Sequence, residues 1–281
     1  MSSKPSRAAD RRAPKKRSAS RAERADRHAL YEKAVQDAEA EIDFVDETYE
    51  NLRGQKAAWL REDFCGTANA SCEWVRRRPG NHAIGVDLDP EVQAWGEERH
   101  VAKLGSARNR VELVTADVLG VACRPVDIVL AMNFSYWIFK ERETLKRYFR
   151  HVHGGLAENG VFMLDAYGGA DAHREMKERT EVDKFTYIWD QKRHDPITGD
   201  ILCHIHFSFP DGSRIRKAFT YDWRLWTLPE IREVLLEAGF HRATVYWEGT
   251  DEKTQEGNGV FTPAEHGEAD DAFIAYIVAE K

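Results

Sequence analysis

Two hydrophobic rhythms follow one another along the chain, and the change of rhythm divides it. From residue 56 onward, short runs rich in Val, Ile and Leu alternate with stretches of helical spacing. Residues 56–64 lead into a strand, and 66–78 read as a helix that stops at Pro79-Gly80. Residues 82–88 form a second strand, and 90–104 a helix with Asp89 at its N-cap and Pro90 in its first turn. Strands follow at 110–116 and 126–133, then a helix at 141–157 and a fifth strand at 161–167. Strands alternating with helices in this way predict a parallel sheet with right-handed crossovers. Beyond it the rhythm changes. Residues 185–191, 201–209 and 214–224 read as consecutive strands joined by the turns Asp195-Pro196-Ile197-Thr198-Gly199-Asp200 and Pro210-Asp211-Gly212-Ser213. A helix at 228–238 is stopped by Gly239, and strands at 242–247 and 272–279 flank a long acidic loop near 248–271. Before the first strand, residues 22–40 carry one helical stripe through Leu30, Ala34 and Val35.

Charge adds a boundary at the front. Residues 1–28 hold about ten Lys and Arg against three acids, whereas the whole chain carries a net charge of -7. With almost no large apolar residue, the basic tail over 1–21 is expected to be disordered. The acidic remainder argues against a nucleic-acid-binding face on the folded part, so nucleic acid is expected only through the tail. No stretch reaches the ~20 apolar residues of a membrane span, and no apolar leader is visible. The cysteines Cys65, Cys72, Cys123 and Cys203 form no C-x-x-C pair, so a reduced, cytoplasmic protein is expected.

The candidate chemistry lies at strand ends. The first strand-to-helix junction reads Leu60-Arg61-Glu62-Asp63-Phe64-Cys65-Gly66-Thr67-Ala68. The second strand ends in Gly85-Val86-Asp87-Leu88-Asp89-Pro90 and the third in Ala116-Asp117-Val118. Open parallel sheets bind ligands outside the carboxyl ends of their strands, where all three junctions fall. An acid ~20 residues past the first turn suits two ribose hydroxyls, because a carboxylate accepts from both. A dinucleotide fingerprint is broken, since Phe64 stands at its first glycine and only Gly66 remains; this disfavours an NAD-dependent oxidoreductase. Taken singly, residues 87–90 also read as a helix-capping turn and Asp117 as a solvated acid, but their joint placement favours a site.

On these residues the chain resembles the class I S-adenosylmethionine-dependent methyltransferases. Residues 60–68 resemble the family's first motif, 85–90 its second, Asp117 its adenine-contacting acid, 127–132 its fourth-strand motif and 155–165 its fifth. The resemblance spans about residues 40–281. It implies an α/β, Rossmann-like fold with a seven-stranded, mostly parallel sheet in the order 3-2-1-4-5-7-6. An antiparallel three-stranded insertion after the fifth strand is similar to that of small-molecule N-methyltransferases. The resemblance implies S-adenosyl-L-methionine as cofactor. Glu62 or Asp63 would orient its ammonium, the backbone at Cys65 and Gly66 would approach it, and Asp87 with Leu88 would hold the ribose. Asp117 and the backbone of Val118 would meet the adenine, and Asn133 would sit near the sulfonium.

The domain reading is then a tail over 1–21, a helical lid over 22–55 and the methyltransferase domain over 56–281, with 170–226 as an acceptor-side insertion. In the strand at 201–209, His204 and His206 share one face and Cys203, Ile205 and Phe207 the other. The histidine pair reads as a solvated pair, a pocket base or, lacking a third ligand, a poor metal site; no metal is assigned. Tyr136 follows the fourth strand as a pocket wall. His204, His206 and Tyr136 are therefore the catalytic candidates. The expected reaction is methyl transfer to an amine or hydroxyl of a small molecule. The alternatives are an RNA or protein methyltransferase guided by the arm, and a nucleoside-binding protein without catalysis.

Overall fold

The computed structural model describes residues 18–281 apart from 252, 255 and 256. Most of the basic tail expected over 1–21 thus lies outside the described residues. The single helix expected over 22–40 is broken into α1 (Arg21–Arg24), α2 (Arg27–Val35) and the start of α3 (Ala38–Arg53). The breaks fall at two capping aspartates. The Asp26 carboxylate accepts from the His28 and Ala29 N–H groups, and that of Asp37 from the Ala40 N–H. α3 buries Ile42, Val45 and Tyr49, whose spacing places them on one face.

The parallel half follows the expected rhythm: β1 (Trp59–Asp63), α4 (Asn69–Arg77), β2 (His82–Asp87), α5 (Pro90–Arg99), β3 (Val111–Thr115), β4 (Val126–Ala131), α6 (Arg142–Gly155) and β5 (Leu156–Gly168). The insertion contains β6 (Met176–Val182), β7 (Phe185–His194), β8 (Asp200–Ser208) and β9 (Arg214–Arg224). It forms an antiparallel sheet of four strands, not the expected three, because β6 adds an exposed edge. After α7 (Leu228–Ala238) come β10 (Arg242–Thr250), β11 (Gly257–Ala264) and β12 (Phe273–Glu280).

The main sheet runs β3-β2-β1-β4-β5-β12-β10-β11. Its first seven positions reproduce the order 3-2-1-4-5-7-6, with β12 antiparallel to both neighbours. The eighth strand corrects the expected seven: part of the supposed loop near 248–271 pairs with β10 as β11. The sheet is covered on both faces. Leu145 and Phe149 of α6 and Ile231 and Leu235 of α7 pack on one side with Val129, Leu164 and Ile277. Ile42 and Val45 of α3 and Trp74 of α4 pack on the other with Ile128, Leu130 and Met163. A third core joins Phe185, Ile205 and Phe207 of the insertion to Leu30, Tyr31 and Ala34 of α2.

The segment α1–α2 is therefore a strap between two sheets. At one end the Arg21 N–H donates to Asp211 Oδ2 (2.9 Å) and the Ala22 N–H to Ser213 Oγ (3.1 Å). At the other, Trp95 Nε1 donates to Asp26 Oδ2 (2.7 Å), and Thr67 Oγ1 donates to Glu32 Oε1 (2.6 Å). His100 Nε2 lies 2.7 Å from that same Glu32 oxygen.

Candidate functional site

The site forms where β1, β2, β3, β4 and β5 end. Phe64, at the position of the missing glycine, adopts the left-handed conformation itself (φ 58°). That geometry is uncommon outside glycine, so the surroundings must hold it. The Phe64 ring packs against Phe139 and Tyr148, 5.9 and 5.7 Å between centroids. The following turn is fixed by backbone bonds, with the Cys65 N–H on the Val86 carbonyl and the Ala68 N–H on the Cys65 carbonyl. The Cys65 side chain is buried, 3.8 Å from Gln93 Nε2. Gly66 has φ +51°, and nothing lies within 4 Å of where a Cβ would stand. Behind the turn, α5 approaches so closely that a Cβ on Gly96 would lie 2.2 Å from the Thr67 carbonyl oxygen.

Asp87 links the first two junctions. Its Oδ2 accepts from the Gly66 N–H at 2.8 Å and its Oδ1 from the Asp89 N–H at 2.9 Å. The carboxylate is half-buried, while Leu88 is exposed beside it. Asp117 is exposed at the end of β3, its Oδ1 accepting from the Leu119 N–H, and Val118 is buried behind it. These residues are brought to one rim, as the spacing of the sequence expects.

Two adjacent acids of the first junction part company. Glu62 points to the α4 side, where it accepts from the Ser71 N–H (2.9 Å) and the Ser71 hydroxyl (2.5 Å). Burial raises its pKa to about 7, against the pull of those two bonds. Asp63 points into the core on the other side. It is 1 % exposed, pairs with Arg61 (Nε to Oδ1, 2.9 Å) and accepts from the Tyr148 hydroxyl (2.9 Å). Strand alternation puts Arg61 and Asp63 on one face and Glu62 on the other. Asp63 is thus a buried ion-pair partner, which corrects its placement in the ligand set.

Asn133 and Phe134 follow β4, both with φ 57°. Their N–H groups donate to the two oxygens of Asp165, at 2.9 and 2.8 Å. Asp165 staples a strained corner and presents both residues to a cavity. Burial raises its pKa to about 7 despite these bonds. Glu41 on α3 faces the same region; burial comes first in pushing its pKa up, followed by the charges of Glu62 and Asp165. None of these three carboxylates takes part in an ion pair among the described residues. The sequence reading missed Asp165 and Glu41. Asp165 lay inside a recognised motif without a role, and Glu41 lay on a helix whose many acids hid it.

The cavity, about 780 Å³, runs from Asn133 and Phe134 under the inner face of the insertion to β12 and is roofed by Tyr31, Ala34 and Val35 of α2. The catalytic candidates do not line it. The Tyr136 ring is fully buried, its hydroxyl donating to the Asp165 carbonyl (2.8 Å). On β8 the cavity takes Ile205, so His204 and His206 project from the opposite face. There His204 Nδ1 lies 3.0 Å from Thr220 Oγ1, while His206 meets Asp190 Oδ2 (3.2 Å) and accepts from the Lys217 N–H. Burial lowers the His204 pKa. The two faces were read correctly from the sequence, but the histidine face is the one turned away. Replacing both histidines by alanine is expected to leave kcat within about twofold, the ordinary range for changes remote from a site. A loss of a hundredfold would return them to the mechanism.

No helix among the described residues is long and apolar enough to cross a membrane. No protein-family model matches the chain, and no curated protein matches it in sequence. Solved structures do match. An S-adenosylmethionine-dependent methyltransferase from Clostridium acetobutylicum superposes with a TM-score of 0.65 at 17% identity, over 90% of this chain and 96% of that one. CalS10 of Micromonospora echinaspora, an amino pentose methyltransferase solved with S-adenosylmethionine, gives 0.63 at 16% identity, over 90% and 95%. The sugar N-methyltransferase KedS8 of Streptoalloteichus gives 0.62 at 17% identity, over 99% of each chain. The order of the main sheet, the strand-end acids and the sheet inserted after β5 agree with this likeness: the chain has the class I methyltransferase fold.

Proposed function

We propose that the protein is an S-adenosylmethionine-dependent methyltransferase acting on an amine or hydroxyl of a small molecule. The observation that carries this reading is the strand-end rim, where Asp87 accepts from the Gly66 N–H, Glu62 from Ser71 and Asp165 from the Asn133 and Phe134 N–H groups; neither Glu62 nor Asp165 forms an ion pair among the described residues. A cationic ligand offsets unpaired carboxylates, and S-adenosylmethionine brings an ammonium and a sulfonium. The remaining rim fits its neutral parts. Asp87 offers a carboxylate for the ribose, the open side of Gly66 lets the backbone approach, and Asp117 with the Val118 backbone suits the adenine edge.

When bound, the cofactor would supply a methyl group on a positively charged sulfur. The protein's part is placement. Asp165 fixes Asn133 and Phe134 at the junction of rim and cavity, and the Glu32–Thr67 bond holds α2 over the turn. A cavity roofed by α2 aligns the acceptor for in-line attack. Incubating the protein with methyl-labelled cofactor and fractionated cell extract tests the activity. Label entering a low-mass metabolite fraction supports the proposal; label confined to RNA or protein, or none at all, refutes it.

A pH dependence follows from the same carboxylates. In the folded chain Glu62 and Asp165 titrate near about 7, above the ordinary 4.5 and 3.8. The unfolded chain gives up these protons first, so their contribution to stability is present at low pH and is lost as pH rises towards 7. Cation binding runs the other way, because it needs the ionised forms. S-adenosylhomocysteine, through its ammonium, is expected to bind more tightly at pH ~8 than at pH ~6, with proton release on binding. Calorimetry in buffers of different ionisation heat measures both; a flat profile that Glu62→Gln leaves unchanged would remove the carboxylates from the site.

A further inference from the structure

The cavity wall is largely aromatic, in a chain whose fold is similar to that of a sugar N-methyltransferase. On the insertion side it is built of rings. Tyr221 stacks on Trp223, 4.3 Å between centroids at 24°, and Trp189 lies 6.1 Å from Tyr221 at 32°. Phe134 and Tyr167 face them from the β4 and β5 ends, 4.8 Å apart edge to face. The amide and phenol nearest the centre of these rings are bonded to one another and to the backbone. The Gln191 amide donates to the carbonyls of Asp171, Ala172 and Arg174, and its Oε1 accepts from the Tyr167 hydroxyl at 3.3 Å. A polyhydroxylated ring needs many free donors and acceptors, and burying it without them is costly. A flat apolar ring needs only faces to stack on.

Charge at the mouth points the same way. In the β6–β7 ladder Glu178 stands opposite Trp189 and therefore shares the inner face. The neighbouring Lys177 belongs to the outer face, where its Nζ pairs with Asp190 at 2.9 Å. Arg179 has the same parity as Lys177. Glu178 is exposed and makes no ion pair among the described residues. Lys177 and Arg179 border the cavity too, as do Asp171, which pairs with Arg174, and Glu248; Lys177 is paired with Asp190, and beside the Trp189 indole it is the Glu178 carboxylate that stands, a pairing that attracts a cation.

We infer that the acceptor is an amine bearing a planar aromatic ring, with the ring seated on Trp189 and Tyr221 and its protonated form drawn in by Glu178. This rests on the methyltransferase reading above and narrows the substrate class of the same site. Association of the ammonium with the rim precedes loss of its proton to water; the neutral nitrogen would then bond to the methyl carbon as that carbon's bond to the sulfonium sulfur breaks, leaving a neutral thioether, and the product ammonium gives up a proton to solvent.

The test uses the full chain saturated with S-adenosylhomocysteine and titrated in a calorimeter with 2-phenylethylamine or glucosamine. Phenylethylamine is expected to bind at least tenfold more tightly. Trp189→Leu should weaken it at least tenfold while S-adenosylhomocysteine affinity stays unchanged, and Tyr221→Leu should act likewise if Trp189→Leu fails to fold. Glu178→Gln should weaken it severalfold, with the difference vanishing at high salt. Equal or tighter binding of glucosamine, or no binding of phenylethylamine to protein that holds S-adenosylhomocysteine, overturns the inference and leaves the methyltransferase reading standing. Failure to bind S-adenosylhomocysteine at all overturns that reading instead.

Discussion

Asp63→Ala is expected to destabilise the protein by about 3–5 kcal/mol, the cost of leaving a buried charge without its partner. The Arg61 guanidinium is 1 % exposed, and Asp63 is its ion-pair partner. A carbon at Gly155 would come within 2.9 Å of Arg61 Nη1, so α6 closes over the arginine and leaves it little room to reach water. Tyr148 also loses the acceptor of its hydroxyl. Denaturant unfolding of the two proteins gives the difference directly. A loss below ~1 kcal/mol would mean that the pair is dispensable and would reopen a ligand role for Asp63. Affinity for S-adenosylhomocysteine, measured on the folded fraction, should barely change, since this carboxylate lies on the wrong side of the strand.

Asp87→Ala should have the opposite profile. Here the cost in stability is small and the loss falls on the cofactor, about 1–3 kcal/mol or roughly ten- to a hundredfold in affinity for S-adenosylhomocysteine. The carboxylate does two things at once. It orders the turn by accepting from the Gly66 and Asp89 N–H groups, and it faces the rim where the ribose is proposed to lie. Asp117→Ala removes an exposed acid that accepts from the Leu119 N–H, and its effect should be smaller. Calorimetric titration of both variants ranks them. Equal affinities for wild type and Asp87→Ala would end the ribose assignment.

The parallel half of the fold was legible because its strands are buried on both faces. Runs such as Ile128-Val129-Leu130-Ala131 have few other readings in a soluble domain. What the sequence hid were strands at edges. β6 reads Met-Lys-Glu-Arg-Thr-Glu-Val, with five exposed residues in succession, so neither face carries an apolar signal. β11 contains two glycines and a proline, residues that ordinarily mark a loop. The site was legible to the level of the rim: Glu62, Gly66, Asp87 and Asp117 are brought to the same strand ends. Its finer assignments failed where a face had to be chosen. The i, i+2 spacing of Arg61 and Asp63 was a usable sign of a same-face ion pair. For Tyr136 and the histidines no such sign exists, because which face of an inserted sheet meets the body depends on packing far along the chain.

The strap has a mechanical consequence. Glu32 fastens α2 to the Thr67 hydroxyl, and Tyr31, Ala34 and Val35 on the same helix roof the cavity. A rigid helix cannot swing away from one without leaving the other. A movement of this helix would therefore uncover the Thr67 turn and the cavity roof together, so that whatever occupies the one is coupled to whatever occupies the other.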